Sequence, residues 1–285
     1  MSELVKTALN GYRVGQNPLA APVTTPVAAP GFAGQVGQAR RNQVPGLFFA
    51  DGHRPRNQIL ASLPADVWAR LAPHTGQSLL IQGEVLIEAG KPIEKIYFPN
   101  NGLLSLMQST KADVYVETAL IGSEGLTNAF ELLDESVAAS RTLVQISGTA
   151  CWLPADVLRS EFRWAGFFQR RLLRFLHWQE IQSSQCALCN RLHAVEERLA
   201  RWLMMAHDRV PSSELFLTHA AISHLLGTRR SGVTVALNNL EATGAISCTR
   251  GRIVIEDVQK LHGCSCECYE ALSAQSASLL QGFEN

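Results

Sequence analysis

The sequence predicts an α+β fold in three successive parts. These are an antiparallel β-roll of jelly-roll type, a long dimerisation helix and a C-terminal winged helix-turn-helix. Three observations predict it. Between Gln77 and Leu153 short β-type runs follow one another, separated by turn sequences and by no long helix. Ile181, Leu188, Val195 and Trp202 then recur every seven residues. After Pro211 a short segment reads as helix, glycine turn, helix and hairpin.

Composition bounds the alternatives. The chain has 285 residues, 46% hydrophobic and 18% charged, with Lys plus Arg 25 balanced by Asp plus Glu 25. A chain this apolar can bury a sizeable core, so wholesale disorder is excluded. A net charge of zero argues against a polyanion-binding surface over the whole molecule but leaves room for a local basic patch. No apolar run reaches the length of a membrane span, and no basic-then-apolar leader opens the chain, so a cytoplasmic location without membrane contact is expected. Seven cysteines, an odd number in a chain of this size, fit reduced thiols better than a disulfide framework.

Residues 1–57 read as a disordered tail. The stretch 17–38 is mostly Pro, Ala, Gly, Val, Thr and Gln, with no charge and no period. Residues 58–155 form the roll. Its entry carries Ile59, Leu60, Leu63, Val67 and Leu71 at helical spacing, with Pro64 suited to a first turn. The β-type runs are 79–81, 84–87, 95–98, 103–107, 114–121, 142–146 and 150–153, with turns read at Asn100-Asn101-Gly102 and Ser147-Gly148. Residues 156–207 are the long helix region. Leu192 and Leu199 sit between the seven-residue positions, giving an a/d seam read as a dimer interface, with Ile181, Leu188 and Leu192 at its heart. Residues 208–263 are the winged domain. Thr218 caps a helix over 219–226, Gly227 makes the turn, a second helix runs from about Arg229 to Ala242, and 245–247 with 252–255 form a two-stranded wing. Residues 264–285 are left as a C-terminal tail.

The segment 217–246 resembles the helix-turn-helix of the Crp/Fnr family of bacterial transcription regulators. Leu217-Thr218, Leu226-Gly227, Val233, Leu237, Leu240-Glu241, Gly244 and Ile246 carry the resemblance without gaps. Arg198 to Leu203, Gly83 to Gly90, Tyr97-Phe98 and Ile121 to Leu126 extend it over about residues 59–262. The resemblance implies a cyclic-nucleotide-binding-type roll, a dimerisation helix, and a dimeric DNA-binding regulator that acts with RNA polymerase.

A helix reading the major groove must present side chains near its N-terminal end to base edges. Arg229, Arg230, Ser231 and Thr234 hold those positions, with Asn238 one turn on and Thr218 at the preceding cap. Arg250 and Arg252 in the wing suit phosphate contacts, which position without specifying. Between Arg229 and Arg252 four Arg and one Glu give a local charge of +3, a basic face within a neutral protein. The expected partner is double-stranded DNA carrying an inverted repeat.

In nucleotide-binding relatives a Gly-Glu segment and a later Arg-Ser or Arg-Thr hold ribose and phosphate. Here the resemblance assigns those places to Glu124, Arg141 and Thr142, although Ser123 stands where Gly is usual and 17 positions separate Glu124 from Arg141. Cys186 and Cys189 share a helix face, and Cys264, Cys266 and Cys268 are densely clustered. Together they offer zinc or iron–sulfur ligands. The iron–sulfur sensors of the family keep their ligands mainly near the N-terminus, and residues 1–150 here hold no cysteine. Free thiols are therefore the adopted reading, with no metal and no cofactor assigned, and a thiol- or metal-based redox sensor is the alternative. An enzyme is not expected: no histidine lies between His74 and His177, so the barrel has no metal-ligand set for oxygenase chemistry, and nucleophile-elbow, P-loop and dinucleotide motifs are absent.

Overall fold

The computed structural model describes residues 54–281 apart from 112–113, 134–136 and 211; the tail read over 1–57 lies outside the described residues except for 54–57. Asn57 belongs to the folded body. It is fully buried and caps helix α1 (Gln58–Ala61) by accepting from Ile59 N and Leu60 N, while its amide donates to Pro99 O and Gly125 O. Pro64 then opens α2 (Ala65–Leu71), and the five apolar residues read at helical spacing are all buried.

An antiparallel sheet follows: β1 (Gly76–Leu80), β2 (Val85–Ile87), β3 (Lys95–Ser109), β4 (Tyr115–Ile121) and β5 (Arg141–Pro154), in the order β1-β5-β3-β4 with β2 also on β5. This is the expected roll, with two of its turns changed. The runs read at 95–98 and 103–107 are one 15-residue strand, and those at 142–146 and 150–153 are one 14-residue strand. The turn residues act as paired bends inside these strands. The β3–β5 register shifts around Asn101 and Leu103, opposite Thr149 and Ile146. Gly102 has φ +82, and a Cβ there would sit 2.8 Å from the Ile146 carbonyl oxygen. A Cβ at Gly148 would overlap the Asn101 carbonyl. The two long strands bend together at this place because neither has a side chain there.

The region 156–207 is three helices: α3 (Ala155–Arg163), α4 (Phe167–Leu192) and α5 (Val195–His207). The continuous seam read through Val195, Leu199 and Trp202 is therefore corrected. His193 (φ −105, ψ 150) and Ala194 (φ −65, ψ 156) are extended, and Glu197 caps the new helix by accepting from Ala194 N at 2.8 Å. Past this break the seven-residue period continues into core: Leu199 and Trp202 are each 1% exposed. α4 does have a surface to lie on. Its inner face of Phe168, Leu172, Phe175, Gln179, Gln182, Cys186 and Cys189 is buried, and Ser183 donates to Thr118 O on β4 at 3.2 Å. On the outer side Leu173, Leu188 and Leu192 are 47%, 43% and 67% exposed, with Ile181 half-buried beside them.

The winged domain contains β6 (Glu214–Phe216), α6 (His219–Leu226), α7 (Arg230–Ala242), β7 (Ile246–Thr249) and β8 (Arg252–Ile255). The wing is three-stranded, in the order β6-β8-β7, because Glu214–Phe216 adds to the expected hairpin. The segment read as a C-terminal tail is helical, with α8 (Val258–Cys264) and α9 (Cys268–Gln281) laid against α5 and α4. Tyr269 holds α9 down by donating to Asp208 at 3.0 Å, at the end of α5.

The roll meets the rest of the body at Glu117 on β4. This buried carboxylate accepts from Ser105 Oγ at 2.5 Å and from Trp202 Nε1 on α5 at 2.9 Å. Burial pushes its pKa up from 4.5 to about 7, although Ser105, Arg201 and Trp202 hold it lower than burial alone would. Between about pH 4.5 and about 7 the folded chain thus keeps a proton that the unfolded chain has released. Stability falls as pH rises through that window. Glu117→Gln keeps the acceptor and cannot ionise, so its stability should fall less over the same interval. Urea titrations of both proteins across the pH series check this; parallel slopes would show that Glu117 is not the titrating group.

Candidate nucleic-acid interface

The helix-turn-helix is built from short-range signals. Thr218 Oγ1 accepts from Ala221 N at 3.1 Å and starts α6. Gly227 ends it at φ 58, ψ 40, a left-handed position where glycine carries no Cβ penalty. α7 then buries Val233, Ala236, Leu237 and Leu240. Its other face presents Arg230, Ser231, Thr234 and Asn238 to solvent, together with Val235 at 58% exposure. Arg229 is the residue before the helix and is also exposed. The sequence-predicted reading residues thus share one exposed face. Thr218 itself acts as the cap, at the edge of that face.

Two side chains absent from the sequence-based set belong to this surface. His219 Nδ1 lies 3.1 Å from Thr234 Oγ1, whose hydroxyl also donates to Arg230 O at 3.1 Å. Glu214 on β6 pairs with Arg252, with Nη2 to Oε2 at 2.9 Å. Arg252 is therefore partly neutralised, and the local charge is lower than +3 once the neighbouring strand is counted. Spacing within 229–252 could not reveal a partner outside it.

Arg250 is at the tip of the wing. It and Gly251 have φ 47 and 81, the two central residues of a type I′ hairpin turn between Thr249 and Arg252. An Arg in the left-handed region is uncommon and costs backbone energy. The exposed side chain it places beyond the strands is a reason for that cost to be tolerated.

The residues expected at the effector site each take another partner. Glu124 is buried and pairs with Arg209, Oε1 to Nε at 2.8 Å, and also accepts from Gly122 N. Arg141 pairs with Glu88, Nε to Oε2 at 2.8 Å, and its guanidinium lies 4.2 Å from the Tyr115 ring centroid. Thr142 is buried against Asn128. A cavity of about 270 Å³ adjoins Glu124, and its walls also include Gln58 of α1, Trp178 of α4, Asp208 and Arg209 after α5, and Tyr269 and Ser273 of α9.

The cysteines regroup as well. Cys186 is buried toward Arg201 and Glu117, and burial raises its pKa. Cys264 is near Thr243, and Cys248 sits on β7. Cys189, Cys266, Cys268 and His193 converge so that their ligand atoms all lie within 4.8 Å of one another. The Cys266 thiol at 3.6 Å draws the Cys189 pKa far below the ordinary value, and Cys189 in turn raises that of His193.

Residues 197–264 match the model of the Crp-like helix-turn-helix domain family. No curated protein matches the chain in sequence. Among solved structures the chain is similar to FixK2 from Bradyrhizobium japonicum, at 16% identity and TM-score 0.57, covering 67% of this chain and 98% of that one. It is similar to a putative transcriptional regulator of the Crp/Fnr family from Eubacterium rectale, at 14% identity and TM-score 0.59, covering 72% and 95%. The c-di-GMP-responsive global regulator CLP from Xanthomonas campestris matches at 16% identity and TM-score 0.53, covering 68% and 100%. Residues 197–264 are thus a Crp-like helix-turn-helix domain, and the chain as a whole has the fold of the Crp/Fnr structures.

Proposed function

We propose that the chain acts as a sequence-specific homodimer that sets α7 of each protomer into the major groove of an inverted-repeat operator, with RNA polymerase as the further partner. The observation that carries this reading is the two-sided character of α7. Arg230, Ser231, Thr234 and Asn238 are exposed together, with Val233, Ala236, Leu237 and Leu240 buried behind them. An Arg can hold guanine O6 and N7 bidentately, and Ser, Thr and Asn can contact base edges. Arg250 at the wing tip then contacts phosphate, while Arg252 is partly spent on Glu214.

A good bidentate Arg–guanine pair discriminates by roughly 1–3 kcal/mol. Arg230→Ala should flatten the preference at one base pair in each half-site. Arg250→Ala should weaken all sequences alike and lower the salt slope by about one unit per phosphate contact removed. Binding of each variant to a base-substitution series at several salt concentrations checks both. Full sequence preference in Arg230→Ala would mean that α7 does not read bases through this residue. Unchanged affinity in both variants would defeat the DNA-contact assignment.

The dimer is supported by the outer stripe of α4. Ile181, Leu188 and Leu192 lie at seven- and four-residue steps, and Leu173 continues the same exposed side. Two such stripes facing each other across a two-fold axis would cover them and place two recognition helices about one turn of DNA apart. Leu188→Glu with Leu192→Glu should yield monomers that bind an inverted repeat poorly. Light scattering on wild type and variant reads this directly, and a wild type that is monomeric at micromolar concentration would refute it.

A further inference from the structure

The four groups that converge behind the helix break come from separated parts of the chain. Cys189 is in the last turn of α4, His193 is in the break itself, and Cys266 and Cys268 flank the start of α9. The three thiols are buried and the imidazole is mostly so, with 13% of its side chain exposed. Cys189 Sγ lies 3.6 Å from Cys266 Sγ, and Cys268 Sγ lies 3.4 Å from His193 Nδ1. Metal–sulfur bonds of about 2.3 Å and metal–nitrogen bonds of about 2.0–2.1 Å in a tetrahedron give edges of about 3.8 Å between sulfurs and about 3.5 Å between sulfur and nitrogen. The two separations given lie close to those edges, and all the ligand atoms lie within 4.8 Å of one another.

The surroundings also suit an ion. The other imidazole nitrogen, Nε2, is 3.2 Å from Glu267 Oε1, so the carboxylate can fix the ring with Nδ1 turned inward, as the outer partners of ligating histidines do. Gln185 Nε2 donates to Cys268 Sγ at 3.0 Å, and Arg201 supplies positive charge beside Cys189. Three thiolates and a neutral imidazole around a divalent ion leave a net charge of −1, which these donors offset. Four protein ligands fill a tetrahedral shell, so the site is of the closed, structural kind. A polynuclear iron–sulfur cluster needs its terminal ligands spread more widely than the 4.8 Å that bounds this group.

We propose that Cys189, His193, Cys266 and Cys268 bind a single zinc-like divalent ion that clamps the α4–α5 break to the start of the C-terminal helix. The ion joins the last turn of the dimerisation-type helix, the extended residue after it, and the segment that leaves the winged domain. With the ion bound, the angle between α4 and α5 is fixed from both sides. Without it, the break is held by packing and hydrogen bonds alone.

The full chain, purified anaerobically with its thiols reduced, should contain one equivalent of zinc. The metal-free protein titrated with Co²⁺ should develop the intense visible bands of tetrahedral cobalt thiolate, and its melting temperature should rise on adding Zn²⁺. Cys266→Ser should lose the ion, whereas Cys264→Ser, two residues away but outside the group, should keep it. The chelated and reloaded wild type gives the same readout should Cys266→Ser fail to fold. Reduced, folded wild type that takes up neither Zn²⁺ nor Co²⁺ stoichiometrically would overturn the proposal. So would iron with acid-labile sulfide in place of one divalent ion, or equal loss of metal in Cys264→Ser and Cys266→Ser.

Discussion

The contact on which the molecule turns is the hydrogen bond from the Trp202 indole to the Glu117 carboxylate. A buried carboxylate is costly unless donors surround it. Ser105 comes from β3, Glu117 from β4 and Trp202 from α5, so satisfying this one group fixes α5 against the roll. Residues Arg198 to Ala206 of α5 are all buried, an arrangement that needs neighbours on every side. The helices α6, α7, α8 and α9 supply them, together with Glu117 of the roll. α5 is consequently the axle of the body, and the winged domain takes its position from it.

This explains which features the sequence could announce. The helix-turn-helix was legible almost residue by residue, because its signals are local: Thr218 caps within three residues, Gly227 supplies a left-handed turn, and Val233 and Leu237 face inward within one helix. The roll was legible as a set of β-type runs. Its two long strands were not, since Gly102 and Gly148 read as turns when each is considered alone and as a shared bend only when they face each other. The seven-residue period follows an exposed stripe up to Leu192 and runs into core beyond it. A period records which positions are apolar but not whether the apolar side meets a partner or its own core. At Leu199 and Trp202 it meets its own core.

Pairings across long separations were hidden. Glu124 and Arg141 carried a resemblance to a ligand pair, yet Arg209, 85 residues from Glu124, and Glu88, 53 residues from Arg141, take them. The same holds for the cysteines. Cys186 and Cys189 share a helix, but the chemistry divides them, since Cys189 meets Cys266 across 77 residues. Nothing near His193 in sequence asks for a ligand except its four-residue offset from Cys189. A helix end that brings Cys and His to one side is weak as a motif and becomes informative only when the C-terminal helix folds back over it.

The roll and the reading head touch directly as well as through α5. Tyr115 on β4 packs near His224 of α6, with ring centroids 6.5 Å apart, and Gly227 in the helix-turn-helix turn comes so close to Val116 that a Cβ would stand 3.0 Å from it. Gln82 between β1 and β2 donates to Phe216 O on β6 at 2.5 Å. Arg141 stacks on the same Tyr115 and is held by Glu88. β4 and the Glu88–Arg141 pair thus reach the turn between α6 and α7 by direct contact, without the long helix between them. The outer stripe of α4, by contrast, faces away from these contacts. A dimer formed on that stripe leaves two variables to set the spacing of its recognition helices: the angle at the His193 break, and the seat of α6 on β4. In a dimer built on that stripe these two joints are where the spacing would adjust, because α5 itself is surrounded by close-packed core.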